Sequence, residues 1–205
     1  PGRRALQVVN LPSPPLNRLP PLKTMSAFKP FVAIVTAVLL VSACGLGGGK
    51  GLPEDSTSNR AGGSTITFEL PDGVSEVTDY EPTDGWTKSF TDNPSDPTVV
   101  IRVSDDLGRT AEADSTLGVI QTEAMFGGPY GEDFSSEKVS KLEVKNADVG
   151  VEASFTTTQE EATVNGTWMF VSNRKSEKVA GVEIIGTSVA PAMIDGIRDS
   201  LEYTP

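Results

Sequence analysis

Carboxylates, lysines and tyrosines are the side chains that could carry out acid–base chemistry here, because the 205 residues include no histidine. That composition excludes the usual general base, the Ser-His-Asp triad and the common zinc sites. Two neighbouring acid pairs, Asp105-Asp106 and Glu160-Glu161, are the candidate acid–base groups. Adjacent side chains of an extended segment point apart, so we interpret both pairs as solvated loop charges. We therefore expect no enzymatic activity and no cofactor, with a carboxylate-based hydrolase as a minor alternative.

The single thiol belongs to Cys44, which follows Val41, Ser42 and Ala43. An aliphatic residue, two small residues and a cysteine make up the bacterial lipobox, so this segment resembles a prolipoprotein signal. The resemblance implies that the Cys44 sulfur carries a diacylglycerol and that a signal peptidase cuts between Ala43 and Cys44. Two or more acyl chains, such as palmitate, hold a protein stably on a membrane. An ordinary secretory signal or a short membrane helix with an incidental cysteine is the alternative.

The segment before Cys44 has the layout of a signal peptide. The apolar run from Phe31 to Val41 is shorter than the roughly 20 residues that a spanning helix needs, and Lys29 precedes it. We assign 25–43 to the signal peptide. Residues 1–24 are basic and rich in proline, and we predict no structure for them. They are either sequence upstream of a true start at Met25 or a long cytoplasmic extension of the signal.

The charge of the chain is divided sharply at Cys44. Five of the 17 basic residues and none of the 28 acidic residues precede it, so the remainder carries 12 basic and 28 acidic residues, a formal charge of −16. Nucleic acids bind basic surfaces, so this balance argues against a nucleic-acid partner. It also argues against a polybasic attachment to anionic lipid, which leaves the acyl chains on Cys44 as the predicted membrane contact.

Composition divides the predicted mature chain into a tether and one domain. Residues 44–64 are rich in glycine and serine and lack an apolar period, which is typical of a flexible linker. The remaining residues, 65–205, have the usual length of a single domain. We expect the domain to stand off the outer face of the cell membrane.

Within 65–205, apolar periodicity and turn residues predict an α+β fold, an antiparallel sheet with helices packed on it. Asn165-Gly166 predicts a two-residue hairpin turn. A helix is predicted from Asp114 or Ser115 to Phe126, and a second one has Pro191 in its first turn. The predicted strands are 65–70, 85–90, 98–103, 142–155 with a break at 145–148, 162–164, 167–171 and 179–185.

Several short segments resemble a known group of proteins. They are Phe68-Glu69-Leu70-Pro71, Gly85-Trp86 at the start of a strand, and a final helix that carries Ile194, Ile197 and Leu201. Together with a mid-chain helix and an antiparallel meander, they resemble the PsbP-like fold, in particular the LpqN/LpqT type of actinobacterial lipoproteins. The resemblance implies an α/β/α sandwich outside the cell membrane with a binding or accessory role, and it implies no shared catalytic residues.

Five aromatic residues are the candidate contacts for a ligand or partner. Trp86 and Trp168 could form a stacking surface for a sugar or an acyl chain, although core packing is the simpler interpretation. Phe126, Tyr130 and Phe134 lie in a glycine-rich segment next to acids, and they could rim a groove or simply belong to a mobile connection.

These patterns leave two main functional hypotheses. The first is a binding or accessory module for a protein complex of the membrane or of wall assembly, because an acidic tethered domain without catalytic groups suits interaction. The second is a carrier or sensor of a lipid or glycolipid held between sheet and helices. A solvent-filled cavity over the sheet would distinguish the second hypothesis from the first.

Overall fold

A computed structural model describes residues 59–126, 128–159 and 161–205 of the chain. The extension 1–24, the predicted signal peptide 25–43, Cys44 and most of the predicted tether lie outside these residues. The predictions for those segments therefore stay predictions.

The described chain forms ten strands and two helices. Their bounds, in order, are β1 Arg60–Gly62, β2 Ile66–Glu69, β3 Ser75–Glu76, β4 Lys88–Thr91, β5 Val99–Ser104, α1 Ala113–Met125, β6 Glu132–Lys141, β7 Val149–Gln159, β8 Ala162–Asn173, β9 Lys178–Gly186, α2 Pro191–Asp199 and β10 Glu202–Tyr203.

These elements build two antiparallel sheets. The larger has the order β3-β4-β5-β9-β8-β7-β6, and the smaller has the order β1-β2-β10. Helix α1 packs on one face of the larger sheet, against β6, β7, β8 and β9. The smaller sheet packs on the opposite face, and α2 contacts its strand β2. The prediction of an α+β fold with helices on an antiparallel sheet is confirmed.

Both faces of the larger sheet are buried at its centre, which explains the composition of β8 and β9. Trp168 and Phe170 belong to the apolar cluster under α1, while Met169 and Val171 belong to the cluster under the smaller sheet. A strand covered on both faces reads as a continuous apolar run rather than an alternating one. The central strands are therefore the most strongly specified part of the fold.

The two helices lie close to their predicted positions. Leu117, Ile120 and Ala124 of α1 are buried as the helical spacing predicts. The helix begins at Ala113, and neither Asp114 nor Ser115 caps it; the Ser172 hydroxyl of β8 accepts the Ala113 N–H at 3.1 Å. Helix α2 begins at Pro191, as predicted.

The predicted hairpin turn at Asn165-Gly166 is wrong, because both residues lie inside β8. Strand β7 instead ends at Gln159 and β8 begins at Ala162, and Glu161 before it has a φ of 68°. Gly166 serves packing: a Cβ placed there would lie 2.1 Å from the Phe155 ring on the neighbouring strand. Glycine within a strand marks such close approaches.

The folded domain begins before Thr65, so part of the range predicted as tether is structured. Strand β1 pairs with β2, with Ala61 opposite Phe68. The Asp105 carboxylate fixes the turn between β1 and β2 by accepting the Thr65 N–H at 2.7 Å and the Ser64 N–H at 2.8 Å. Backbone pairing and one distant carboxylate hold this segment, and neither produces an apolar period in the sequence. Within the described residues, no helix is long and apolar enough to cross a membrane.

Candidate functional site

Three polar side chains meet at the centre of the sheet face that α1 covers. Arg102 of β5 lies opposite Glu183 of β9, and Glu183 lies opposite Trp168 of β8. Directly opposed residues of neighbouring antiparallel strands point to the same face, so the register alone brings these three side chains together. They form one row across the middle of the sheet.

Glu183 is fully buried, and its carboxylate is bonded on both oxygens. The Arg102 guanidinium donates to Oε2 through Nε and pairs with the same oxygen through Nη2. The Trp168 indole N–H donates to Oε1 at 2.8 Å. A buried charge is tolerated when it is paired and hydrogen-bonded, and both conditions are met here.

Arg102 lies between two aromatic rings. Its guanidinium carbon is 5.3 Å from the centre of the Trp86 ring and 5.8 Å from that of Tyr130, within the range of cation–π contacts. Burial is the largest single influence and opposes the charge of Arg102, but the charge and hydrogen bond of Glu183, together with Tyr130 and Tyr80, outweigh burial and raise the pKa of the guanidinium. Arg102 is therefore a permanent cation at this position.

Tyr130 closes the site over the ion pair. Burial raises the pKa of its phenol, and the negative charge of Glu183 raises the pKa further. The phenol therefore stays protonated across the physiological range and cannot act as a base or nucleophile there.

The aromatic residues around Arg102 and Glu183 form one packed cluster. The Phe155 and Trp168 rings stack with centroids 4.1 Å apart, and Tyr130 meets Trp168 edge-on at 5.2 Å. Phe134 lies 5.8 Å from Trp168. Trp86 and Trp168 are 1% and 0% exposed, so core packing is the observed arrangement for both. Neither tryptophan presents a stacking surface to solvent.

The five predicted contact residues thus separate into two groups. Trp86, Tyr130, Phe134 and Trp168 are brought together in the aromatic cluster, where Phe134 is the partly exposed member. Phe126 stands apart, directly after the C-terminal end of α1, and is 87% exposed. Its neighbour Met125 is 61% exposed. The structure therefore presents this Met-Phe pair, rather than the tryptophans, to the surroundings.

Of the two acid pairs that could have been catalytic, Asp105-Asp106 has structural partners. Asp105 accepts hydrogen bonds from the β1–β2 turn, and Asp106 Oδ1 accepts the Gly108 N–H at 3.0 Å. Glu161 is exposed, while Glu160 lies outside the described residues. Among the described residues, no group of three or more acidic, histidine or cysteine side chains is arranged to hold a metal ion.

An open cleft lies on the same face of the larger sheet as α1. We call it the sheet cleft. It has a volume of about 470 Å³, and its walls include Pro97, Val100, Val164, Ile185 and Thr187. Apolar side chains of β5, β8 and β9 make up its floor. Small-molecule sites in proteins have volumes of this size.

Sequence reasoning missed Arg102 and Glu183, the two charges at the centre of the site. The available signal was a single charged residue inside each of two apolar segments, 99–104 and 179–186, with opposite signs. A charge in such a strand needs a buried partner. To predict that these two charges pair, the register between β5 and β9 must be known, and the sequence pattern does not supply it.

Comparisons with known proteins give this chain no family. No family model matches it, and no curated protein matches it. Among solved structures, PA94 from Pseudomonas aeruginosa, a protein of unknown function, is similar over 63% of this chain and 80% of its own. The sequence identity is 14% and the TM-score 0.35. At that TM-score the likeness supports no argument about fold or function.

Proposed function

We propose that this protein is a lipid-anchored binding or accessory module of the bacterial cell envelope, of the LpqN/LpqT type and with a PsbP-like domain. In this proposal the acyl chains on Cys44 hold it on the outer face of the cell membrane. Its domain contacts an envelope protein and catalyses no reaction itself. The observation that carries the interaction role is the exposed Met125-Phe126 pair.

The anchor limits where the domain can act. Fourteen residues separate Cys44 from Asn59, the first described residue. A fully extended chain spans about 3.3–3.6 Å per residue, so Asn59 stays within about 50 Å of the acylated cysteine. A surface of this domain therefore meets partners that lie in the membrane or close to it.

The chemistry of the buried cluster supports a non-catalytic role. Acid–base catalysts need a pKa close to the working pH. The pKa values of Arg102 and Tyr130 are instead raised, away from neutrality. The Glu183 carboxylate is occupied by Arg102 and Trp168. These groups stabilise a packed core and offer no poised proton donor or acceptor.

The Met125-Phe126 pair has the properties of a contact residue pair. Single exposed apolar side chains are ordinary, but aromatic residues and methionine are both enriched at protein interfaces, and here the two lie side by side. The acids near the pair include Glu123, which forms a 3.2 Å ion pair with Arg109. The predicted mature chain carries a formal charge of −16, so we expect the partner to present an apolar pocket with basic residues at its rim.

Replacing Phe126 tests the interaction role. We expect Phe126→Ser to reduce partner recovery after crosslinking in intact cells at least about tenfold, because aromatic anchors carry a large share of interface free energy. The matched control is Val139→Ser on β6, which removes an apolar side chain that is 57% exposed elsewhere. Recovery should be unchanged in the control. Equal recovery with both variants, or equal loss, would refute Phe126 as the contact.

A second candidate function, the carrier or sensor of a lipid or glycolipid, is favoured by the sheet cleft. Its apolar floor could accept an acyl chain, with Val100 and Ile185 as contacts. We expect native mass spectrometry to show a stoichiometric adduct that organic extraction removes. Val164→Trp should fill the cleft and abolish the adduct. A clean mass before extraction would count against the carrier and favour the interaction module.

A further inference from the structure

Two outer strands, one from each sheet, line a single open cleft. Strand β1 is an edge of the smaller sheet, and β3 is an edge of the larger one. The cleft between them has a volume of about 490 Å³, and we call it the edge cleft. Its walls include Ala61, Gly62, Val74, Ser75, Glu76 and Lys88.

The backbone of β1 has hydrogen-bonding groups directed away from its partner strand. The Leu70 N–H donates to the Asn59 carbonyl, and the Gly63 N–H donates to the Ile66 carbonyl, each at 2.8 Å. In an antiparallel pair, residues alternate between facing the partner strand and facing away from it. Arg60 and Gly62 therefore direct their backbone N–H and carbonyl groups away from β2.

Strand β3 is arranged in the same way. The Val77 N–H donates to the Ser89 carbonyl at 2.8 Å, and Ser75 lies opposite Thr91. The alternation then directs the backbone groups of Glu76, between them, away from β4. The edge cleft thus has outward-facing backbone groups on two of its walls.

The opposite edge of the larger sheet, strand β6, is protected against added strands. Its register with β7 is interrupted twice, between Glu132 and Ser135 and between Ser136 and Lys138, and it carries Lys141 at its end. Bulges and lysines are two of the usual protections of an edge. The β1–β2 pairing runs without a register shift, and the Arg60 side chain turns back to Ser200 and Glu202.

The charge of the edge cleft differs from that of the domain as a whole. Arg60 and Lys88 line it together with one acid, Glu76, and because the Arg60 charge pairs with Glu202 at 3.3 Å, Lys88 is the cation that an incoming group would meet. The Lys88–Glu76 pair is long, at 3.9 Å, and both side chains are exposed, so it contributes little stability. Lys88 is therefore available to an incoming carboxylate. Leu70 and Phe90 add apolar surface between the two edges.

We propose that the edge cleft binds an extended peptide segment of a partner protein, which adds to β1 as a further strand and places an acidic side chain against Lys88. Main-chain hydrogen bonds supply affinity in such strand addition, and side-chain contacts supply selectivity. This inference rests on the proposed interaction role, but it uses a surface separate from Met125-Phe126.

The probe is the synthetic peptide acetyl-Thr-Val-Glu-Val-Thr-amide, added to the full-length protein in detergent micelles. We expect it to slow hydrogen exchange of the Arg60 and Gly62 amides, because these donors gain acceptors. The same peptide with lysine in place of glutamate should bind about tenfold more weakly, a difference of about 1.4 kcal/mol. Lys88→Ala should remove this preference while leaving strand addition in place.

A matched pair of variants isolates the backbone contact. Arg60→Ala and Arg60→Pro both remove the side chain, but only proline removes the outward N–H, and an edge position tolerates proline. We expect Arg60→Pro to weaken peptide binding about tenfold relative to Arg60→Ala. Equal binding by the two variants would overturn strand addition on β1, as would protection of β6 amides instead.

The experiments distinguish failure of peptide binding at the edge cleft from failure of the proposed interaction role of Phe126. Phe126→Ser should leave peptide binding unchanged. If the peptide does not bind at concentrations up to about 1 mM, the edge inference is overturned, whatever partner recovery shows for Phe126→Ser. If the peptide binds but no partner depends on Phe126, the edge inference stands and the role assigned to Phe126 is overturned.

Discussion

Glu183→Gln is expected to lower the free energy of unfolding by about 3–5 kcal/mol, measured by urea denaturation followed by far-UV circular dichroism. Glutamine keeps the shape of the side chain and an acceptor for the Trp168 indole N–H. It removes the charge that compensates Arg102, whose guanidinium is held between Trp86 and Tyr130. An unpaired buried cation is costly, and domain stabilities are only about 5–15 kcal/mol, so the loss is large.

Two controls identify the cause of that loss. In Arg102→Met/Glu183→Gln no buried charge is left, so the double variant should recover at least about half of the lost stability. Glu143→Gln makes the same substitution in the exposed Lys141–Glu143 pair, and the urea midpoint should not move measurably. A double variant as unstable as Glu183→Gln would show that packing, rather than the uncompensated charge of Arg102, causes the loss.

The same ion pair shows why the sequence predicted the fold better than the site. Strands β2, β5 and β9 and both helices were predicted because each carries its own local apolar pattern, a continuous apolar run in the case of β9. The Arg102–Glu183 pair depends on register between segments 81 residues apart. No local sequence pattern contains that register. Each segment by itself therefore shows one charge within an apolar strand and does not predict the partner of that charge.

Elements that depend on contacts between distant residues were either predicted wrongly or not predicted. Asn165-Gly166 has strong local turn chemistry, but the Phe155 ring occupies the space above Gly166 and a continuous strand results. Strand β6 escaped prediction because it is an edge with mostly polar residues, so burial leaves no period in it. Strand β1 was not predicted because it is held by backbone pairing with β2 and by the Asp105 carboxylate, and neither leaves an apolar period in the sequence.

The aromatic candidates show that the sequence did not predict which of these side chains are buried and which are exposed. We predicted two sets of candidate contacts, Trp86 with Trp168 and Phe126 with Tyr130 and Phe134. Burial divides them, because the register places Trp168 next to Glu183, whereas Phe126 follows the last turn of α1 and is 87% exposed among the described residues. The exposure of a side chain depends on which strands and helices pack over it, and therefore on the tertiary structure rather than on the local sequence.

Cys44→Ser is expected to abolish incorporation of an alkyne-labelled fatty acid into the protein in a bacterial host that processes lipoproteins. The thiol is the single one in the chain, so no other cysteine can take the lipid. Each buried methylene contributes about 0.8 kcal/mol to membrane attachment, and two chains make it stable. With 12 basic and 28 acidic residues from Cys44 onward, electrostatic attraction to anionic lipid cannot replace the chains.

Ser42→Ala is the matched control, because it keeps a small residue before the predicted cleavage point and leaves the thiol in place. It should incorporate label as the wild type does.

Intact mass reports cleavage separately: the wild type should begin at an acylated Cys44, whereas Cys44→Ser should keep the apolar run 31–41. That run could hold the precursor at the membrane, so fractionation alone cannot decide the question and the lipid label must. Full labelling of Cys44→Ser would show that the acyl chains are elsewhere, and the anchor and the reach of about 50 Å that follows from it would both be wrong.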